Sequence, residues 1–389
     1  MNPSVSLERL RTAIDQRELI LFFQPKVNLL SGEVVGAEAL VRWQLPDGSV
    51  LTPDAFLPDA AALGLSHEIT LSMLNESVLA IQQLKQVAPD LSLSMNVTPQ
   101  DLETQSVSRS VSQYLEGGAL QSNDLQIEIT ESTVMGNFDR IYKDVIELTR
   151  MGIRVLMDDF GTGYSSIDRL SQLPFSALKL DQGVVRRMGQ SRHSLDVVKS
   201  SISMARELRM ISVAEGVESE GAYNFLVANG CEEVQGYWIS HPLKLADLID
   251  FLRQEHRFEG SQLGRIHQAL FNVLHYRKSL IDAAYCYRLS ADTILDSVVD
   301  PEVELSAAES RFGLWYYGIG QRLDGMAGFA ALEQPFLTLH HCGQQFMEVL
   351  RAGADAAQLH QIIAQTDTSM NELSASLRRL ELELLLGHR

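Results

Sequence analysis

The chain has 389 residues, 45% of them hydrophobic and 21% charged, with a formal net charge of −18 at pH 7. This is the balance of a soluble globular protein with ample core material, and it excludes a disordered or collagen-like chain. No basic cluster offsets the negative charge, which excludes broad contact with a nucleic-acid polymer and leaves room for a small phosphorylated substrate neutralised by metal ions.

The start, MNPSVSLERLRTAID, lacks a basic-then-apolar signal pattern, and no apolar run approaches the roughly 18 residues of a membrane span. Cys231, Cys286 and Cys342 are too few and too scattered for a disulfide framework, so they read as reduced thiols of a cytoplasmic protein that does not engage a membrane. Strands are predicted at residues 19–23, 34–43, 91–97, 125–129, 154–157, 177–180, 212–214 and 233–237. Amphipathic helices are predicted between most of them, among them 68–86, 138–151 and 196–208. Strands alternating with crossover helices predict an α/β fold, a TIM-like (β/α)8 barrel over residues 1–256. After HRFEGSQ (residues 256–262) the pattern becomes purely helical, and residues 257–389 are predicted to form an all-α bundle. There Leu263, Ile266, Leu270, Val273 and Leu274 make one apolar face. Leu373, Leu377, Leu380 and Leu384 keep a seven-residue rhythm that either closes the bundle internally or forms a dimer seam.

The informative residues sit at or just after strand ends, which in a barrel form the active-site rim. They are Glu38 in EALVRW, Asn96 in SMNVTPQ, Glu128 and Glu131 in EITES, Asp158 and Asp159 in DDFGTG, Lys179 and Asp181 in KLD, Glu215 in EGVE and Gln235 in QGY. The strand at 34–43 is the exception, since its polar residues fall mid-segment. Carboxylate and amide oxygens suit Mg²⁺ or Mn²⁺, whereas a zinc site would want the His or Cys absent from these segments. Adjacent aspartates repel one another unless a cation lies between or beside them, so Asp158 and Asp159 can each address a different ion. Two ions roughly 4 Å apart would clamp a phosphodiester and activate water for in-line displacement.

These segments, in this order over residues 10–250, resemble the EAL family of cyclic-di-GMP phosphodiesterases. The resemblance implies hydrolysis of cyclic-di-GMP to linear pGpG by a homodimer carrying two Mg²⁺ or Mn²⁺ per site. It implies that Glu38, Asn96, Glu128 and Asp158 hold one metal, and that Asp158 bridges to a second shared with Asp159 and Glu215. Lys179 would touch the nucleophilic water or a phosphate oxygen. Glu131 would steady the loop of residues 159–166, which the family uses for dimer contact and gating. Gln24, Arg42, Asp181, Gln235 and Pro242 match substrate-contacting positions. Two departures stand out: Ala61 where the family usually has Glu, and His241 in place of Arg or Lys before Pro242. Neither removes a ligand. A receptor that binds cyclic-di-GMP without cleaving it would typically have lost metal ligands or the lysine, and a barrel glycosidase would explain two acids but not Asn96 and Lys179.

In the tail, SRFGLWYYGIG (residues 310–320) resembles the core of the chemoreceptor zinc-binding family, a helical bundle in which three His and one Cys hold Zn²⁺. His275 and His340 fall at two ligand positions, but Ser310 stands at the Cys position and Phe336 at the remaining His. No structural zinc is therefore expected unless His341 or Cys342 completes a rearranged site. Trp315, Tyr316 and Tyr317 would be core aromatics of a bundle kept for regulation, a partner or self-association.

Overall fold

The computed structural model describes residues 6–134, 138–161, 172–254, 256–289, 303, 305–353 and 356–387. The chain divides into two compact units. The first comprises Met1–Asn28, Glu33–Tyr223 and Cys231–Phe258, and the second Leu29–Gly32, Asn224–Gly230 and Glu259–Arg389.

Among the described residues the first unit is built on nine strands: β1 (Leu19–Asn28), β2 (Val34–Gln44), β3 (Val50–Leu51), β4 (Ser92–Asn96), β5 (Leu125–Thr130), β6 (Arg154–Phe160), β7 (Ala177–Leu180), β8 (Ile211–Ala214) and β9 (Glu233–Val234). Their order is β1-β9-β8-β7-β6-β5-β4-β2-β3, and pairing of β1 with β2 closes eight of them into a barrel. Strand β3 is a short hairpin extension of β2. The barrel is not uniformly parallel, because β1 runs antiparallel to both β2 and β9. Only residues 29–33 link β1 to β2, too few for the crossover that a parallel pair needs. Strands β4 to β8 are buried on both faces, with Leu93, Ile127, Val155, Leu178 and Val213 shielded completely and polar residues such as Ser92, Ser94 and Gln126 buried on the opposite face of the same staves. Outside them, helix Phe138–Arg150 turns Ile141, Asp144, Val145 and Leu148 inward, a spacing that keeps them on one helical face.

The second unit packs helices Gln262–Leu289, Arg311–Tyr317, Glu333–Arg351 and Ala356–Gly387. Its core takes Ile266, Val273, Tyr276 and Leu280 from the first, Phe312 and Trp315 from the second, and Phe336 and Phe346 from the third. Leu373, Leu377 and Leu380 are fully buried in this same core, with Leu384 packed partly against it, so the leucine rhythm closes the bundle internally. Two expectations fail. Leu274 is half exposed, because Val273 and Tyr276 take the inward positions. Tyr317 is exposed while Trp315 and Tyr316 are buried, since successive helical residues diverge by about 100° and three in a row cannot share a face. Cys231 and Cys342 are free and buried; the Cys286 side chain lies outside the described residues.

Ser310, Phe336 and His340 line one small cavity of about 10 Å³ together with Asn272 and Tyr276, whereas His275 is not among its lining residues. The Ser310 hydroxyl donates to the Ala307 carbonyl (2.8 Å) and accepts from the Gly313 amide (3.1 Å), capping helix Arg311–Tyr317. His340 lies 4.6 Å from the Tyr276 ring and 5.0 Å from Phe336, and burial pushes its imidazole down to about 4. A histidine in the unfolded chain takes up a proton below about 6.5, so between those values the unfolded state binds more protons and stability falls as pH falls. His340→Phe should therefore lose less stability than wild type between pH 7 and pH 5, by about 2 kcal/mol, in urea unfolding at the two pH values. Equal losses would show that His340 is protonated in the folded bundle.

Candidate functional site

The barrel geometry brings the acidic residues to one mouth. Glu38 of β2 registers with Gln24 on β1 and Ser94 on β4, and Asn96 at the end of β4 registers with Glu128 on β5. Thr130 registers with Asp158 on β6. Because β2 is long and shared between an antiparallel and a parallel neighbour, its midpoint, not its end, lies level with the ends of the parallel strands; this places Glu38.

At the centre stands the fully buried Lys179 of β7. Its ammonium contacts Glu38 Oε2 (3.3 Å), Asp158 Oδ1 (3.2 Å), Glu215 Oε1 (2.6 Å) and, in the shortest contact, Glu128 Oε2. Burial disfavours this ammonium, but Asp158, Glu128, Glu215 and Glu38 together raise it well above its ordinary range. The carboxylates diverge. Burial, then the Glu38 charge, pushes Glu128 up to about 7 against the pull of Lys179. Glu215 is raised well above the carboxylate range, chiefly by burial. Burial acts in the same direction on Glu38, yet Lys179, the Gln235 amide and Lys26 bring it below its ordinary value.

Glu38, Glu128 and Asp158 each present an oxygen within 4.8 Å of the others, a spacing one cation can bridge. Glu128 Oε1 is buried and accepts no hydrogen bond, and one ammonium faces four carboxylates. The donor set therefore fits a hard divalent cation, which would supply the charge that Lys179 alone does not. Asn96 Nδ2 donates to Glu38 Oε1 (2.9 Å), which fixes the amide beside the acids. Asp159 is half-buried with φ +57 at an irregularity in the β6–β7 register, so the two adjacent aspartates escape the strict alternation of a strand. Its carboxyl is raised by burial and by Asp158. Glu131 Oε2 accepts from the Gly161 amide (3.2 Å). Residues 162–166 of the loop assigned to dimer contact lie outside the described residues.

Beside the acids opens a cleft of about 220 Å³, lined among others by Gln24, Arg42, Glu215, Gln235 and Pro242. Gln24 Nε2 donates to the Ser240 carbonyl (3.1 Å), and Gln235 Nε2 donates to Glu38 Oε2 (2.5 Å). Asp181 is not among the lining residues. Its Oδ1 accepts from the Gly183 and Val184 amides as the N-cap of helix Gln182–Arg186. That helix instead offers Gln182 and Arg186 to the cleft, where Arg186 pairs with Glu218 at 2.5 Å. Tyr237 also lines it, its ring 4.0 Å from His241. From sequence, Gln182 and Arg186 went unremarked, and Glu218 stood only as the last residue of EGVE, with no role assigned. The signal was an Asp followed by a short helical stretch, which reads as a cap before it reads as a substrate contact.

Residues 7–242 match the sequence profile of the EAL domain family, and the chain belongs to that family. It is 36% identical over 255 residues to the cyclic di-GMP phosphodiesterase NbdA of Pseudomonas aeruginosa, covering 65% of this chain and 32% of NbdA. The cyclic di-GMP phosphodiesterase RocR of the same species is 32% identical over 238 residues, covering 61% of each chain. The solved phosphodiesterase of P. aeruginosa MucR, in complex with c-di-GMP, superposes with a TM-score of 0.60 at 34% identity, covering 62% of this chain and 98% of that one. The chain thus matches about a third of the length of NbdA and of full-length MucR.

Gly236 ties the cleft wall together. A Cβ there would lie 2.3 Å from both the nitrogen and oxygen of Val217, between the hydrogen bonds Val217 N to Gln235 O and Trp238 N to Val217 O. Backbone cannot yield as a side-chain tip can, so Gly236→Ala should cost about 1–3 kcal/mol in urea unfolding and alter the near-ultraviolet signal of Trp238. An unchanged midpoint and spectrum would show that the two loops are not locked.

Proposed function

We propose that the chain is a metal-dependent hydrolase that opens cyclic-di-GMP to linear pGpG, lowering this second messenger in bacterial signalling. The observation that carries the reading is the Lys179 ammonium centred on Glu38, Glu128, Asp158 and Glu215 beside an open cleft. Family membership and the phosphodiesterase names of NbdA and RocR support the substrate. The intact acid set and lysine favour an enzyme over a receptor that binds the nucleotide without turnover.

Glu38, Asn96, Glu128 and Asp158 would hold one Mg²⁺ or Mn²⁺, and Asp158, Asp159 and Glu215 a second. Such ions, when bound, supply Lewis acidity at the phosphate and make water nucleophilic near neutral pH. The chain's own residues do the rest. Lys179 gives positive charge to the phosphate oxygens as the attacking oxygen joins phosphorus and the ribose 3′-oxygen leaves with a proton. Arg42 offers a fork to a phosphate, Gln24, Gln235 and Pro242 shape the cleft, and Asp181 acts through the capped helix that presents Gln182 and Arg186. Glu131 holds the start of the loop through Gly161. The helical unit, without structural zinc, serves regulation, a partner or self-association in a cytoplasmic homodimer. Among the described residues no helix is long and apolar enough to cross a membrane.

Purified protein incubated with cyclic-di-GMP should release pGpG, resolved by chromatography, with Mg²⁺ or Mn²⁺ but not with EDTA. Ca²⁺ should support binding and little cleavage, since its larger, looser shell relaxes the geometry. Glu38→Ala should abolish turnover; full activity in that variant would refute the mechanism. Lys179→Ala should cut kcat by roughly 100-fold or more while KM moves only a few-fold, because its charge matters most as the transition state forms. A loss confined to KM would assign Lys179 to binding.

A further inference from the structure

Beneath the acid cluster the barrel holds a second buried lysine, which the proposed mechanism does not use. Lys26 of β1 is 1% exposed. Its ammonium donates to Ser94 Oγ and Gln126 Oε1, each at 3.0 Å, and stands 3.9 Å from Glu128 Oε1, the oxygen turned away from Lys179. Gln126 in turn donates to Ser92 Oγ at 2.8 Å. Three strands thus devote a buried interior layer to this one charge, where a barrel normally packs branched aliphatics. The slot is fitted to it: a Cβ on Gly36 would come within 3.2 Å of Lys26 Cε.

We propose that Lys26 is a built-in counter-cation of the acid cluster. It keeps the carboxylates assembled when no metal is bound and, by the same charge, holds down the site's affinity for divalent cations. The inference rests on the metal reading of the site. The arrangement gives Lys26 no role as a ligand, and its hydrogen bonds to Ser94 and Gln126 anchor it below Glu128. A fixed positive charge there stabilises the bare cluster and repels any cation that Glu128 helps to hold, and in a shielded interior both effects are large. The repulsion acts on a double charge, so it outweighs whatever orientation Lys26 lends to Glu128. The site can then exchange metal without coming apart.

The test uses the full chain, stripped of metal, as wild type, Lys26→Met and Lys26→Gln, with Mn²⁺ affinity measured by calorimetry and melting followed in EDTA and in Mn²⁺. Met preserves the length of the stem, and Gln preserves hydrogen bonding to Ser94 and Gln126 without the charge. Both variants should bind Mn²⁺ about 10-fold or more tightly than wild type. They should also melt lower in EDTA and gain more from Mn²⁺ than wild type does, because tighter binding to the folded state raises its stability further. A lower melting point with unchanged Mn²⁺ affinity would assign Lys26 to packing and overturn the proposal. So would weaker Mn²⁺ binding, which would make it a positioner of Glu128, or failure of both variants to fold with Mn²⁺ present. Wild-type protein that takes up no Mn²⁺ would refute the metal reading itself and the proposal with it. Wild type that hydrolyses cyclic-di-GMP while all three proteins bind Mn²⁺ equally would overturn the role of Lys26 alone.

Discussion

Four carboxylates converge on one buried ammonium, and the rest of the barrel is organised around making that tolerable. Glu38, Glu128, Asp158 and Glu215 come from four different strands or strand ends, so no local sequence preference brings them together. Removing like charges from water is costly, and Lys179, with Lys26 at 3.9 Å from Glu128 below it, only partly offsets it. The compensation lies in the scaffold: fully shielded Leu93, Ile127, Val155, Leu178 and Val213 fix the staves, and their burial outweighs the local repulsion. A barrel suits this because its strands are held on both sides. At the rim Asp159 takes a left-handed φ of +57, a region Asp tolerates better than most residues, and two residues on the Glu131 carboxylate fixes the Gly161 amide.

Much of this was legible in the sequence, and what escaped has physical reasons. Short apolar or alternating segments between helical stretches located the strands, as in LQIEIT and SVA. The ordered acids located the mouth because catalytic residues of such a fold cluster at strand ends. Direction was harder: the antiparallel β1 follows from the shortness of the 29–33 link, but its strand seemed to end at residue 23, before Pro25 and Lys26. A lysine inside a barrel wall looks like a strand terminus until Ser94 and Gln126, brought beside it from strands far along the chain, give it acceptors. Asp181 illustrates a second ambiguity. An acid after a strand and before a helix suits both a cap and a substrate contact, and in the folded chain its oxygen accepts from the Gly183 and Val184 amides.

The helical unit teaches a related point about periodicity. A heptad of leucines states that a seam exists, not which helix fills it, and here the seam is closed by the unit's own core. Three consecutive aromatics likewise look like one packing element until helical geometry turns Tyr317 outward. Ser310 shows a polar residue whose work is local. A serine that caps a helix, with its hydroxyl committed to Ala307 and Gly313, contributes to folding through the backbone.

The two charged arrangements of the mouth differ in a way that divides their work. The Lys179 cluster is shielded from water, so each contact is strong and any loss leaves an uncompensated charge; such a group holds its shape. The Arg186–Glu218 pair at the cleft is nearly half exposed on both sides, 47% and 45%, and an exposed pair contributes only about 0–1 kcal/mol. A pair that weak opens at little cost, leaving a guanidinium and a carboxylate free to face whatever enters the cleft. Rigidity therefore sits where charge must be held in place, and adaptability sits where a ligand must be admitted. The N-cap by Asp181 joins the two, since it anchors the first turn of the helix carrying Arg186 to the end of the strand carrying Lys179.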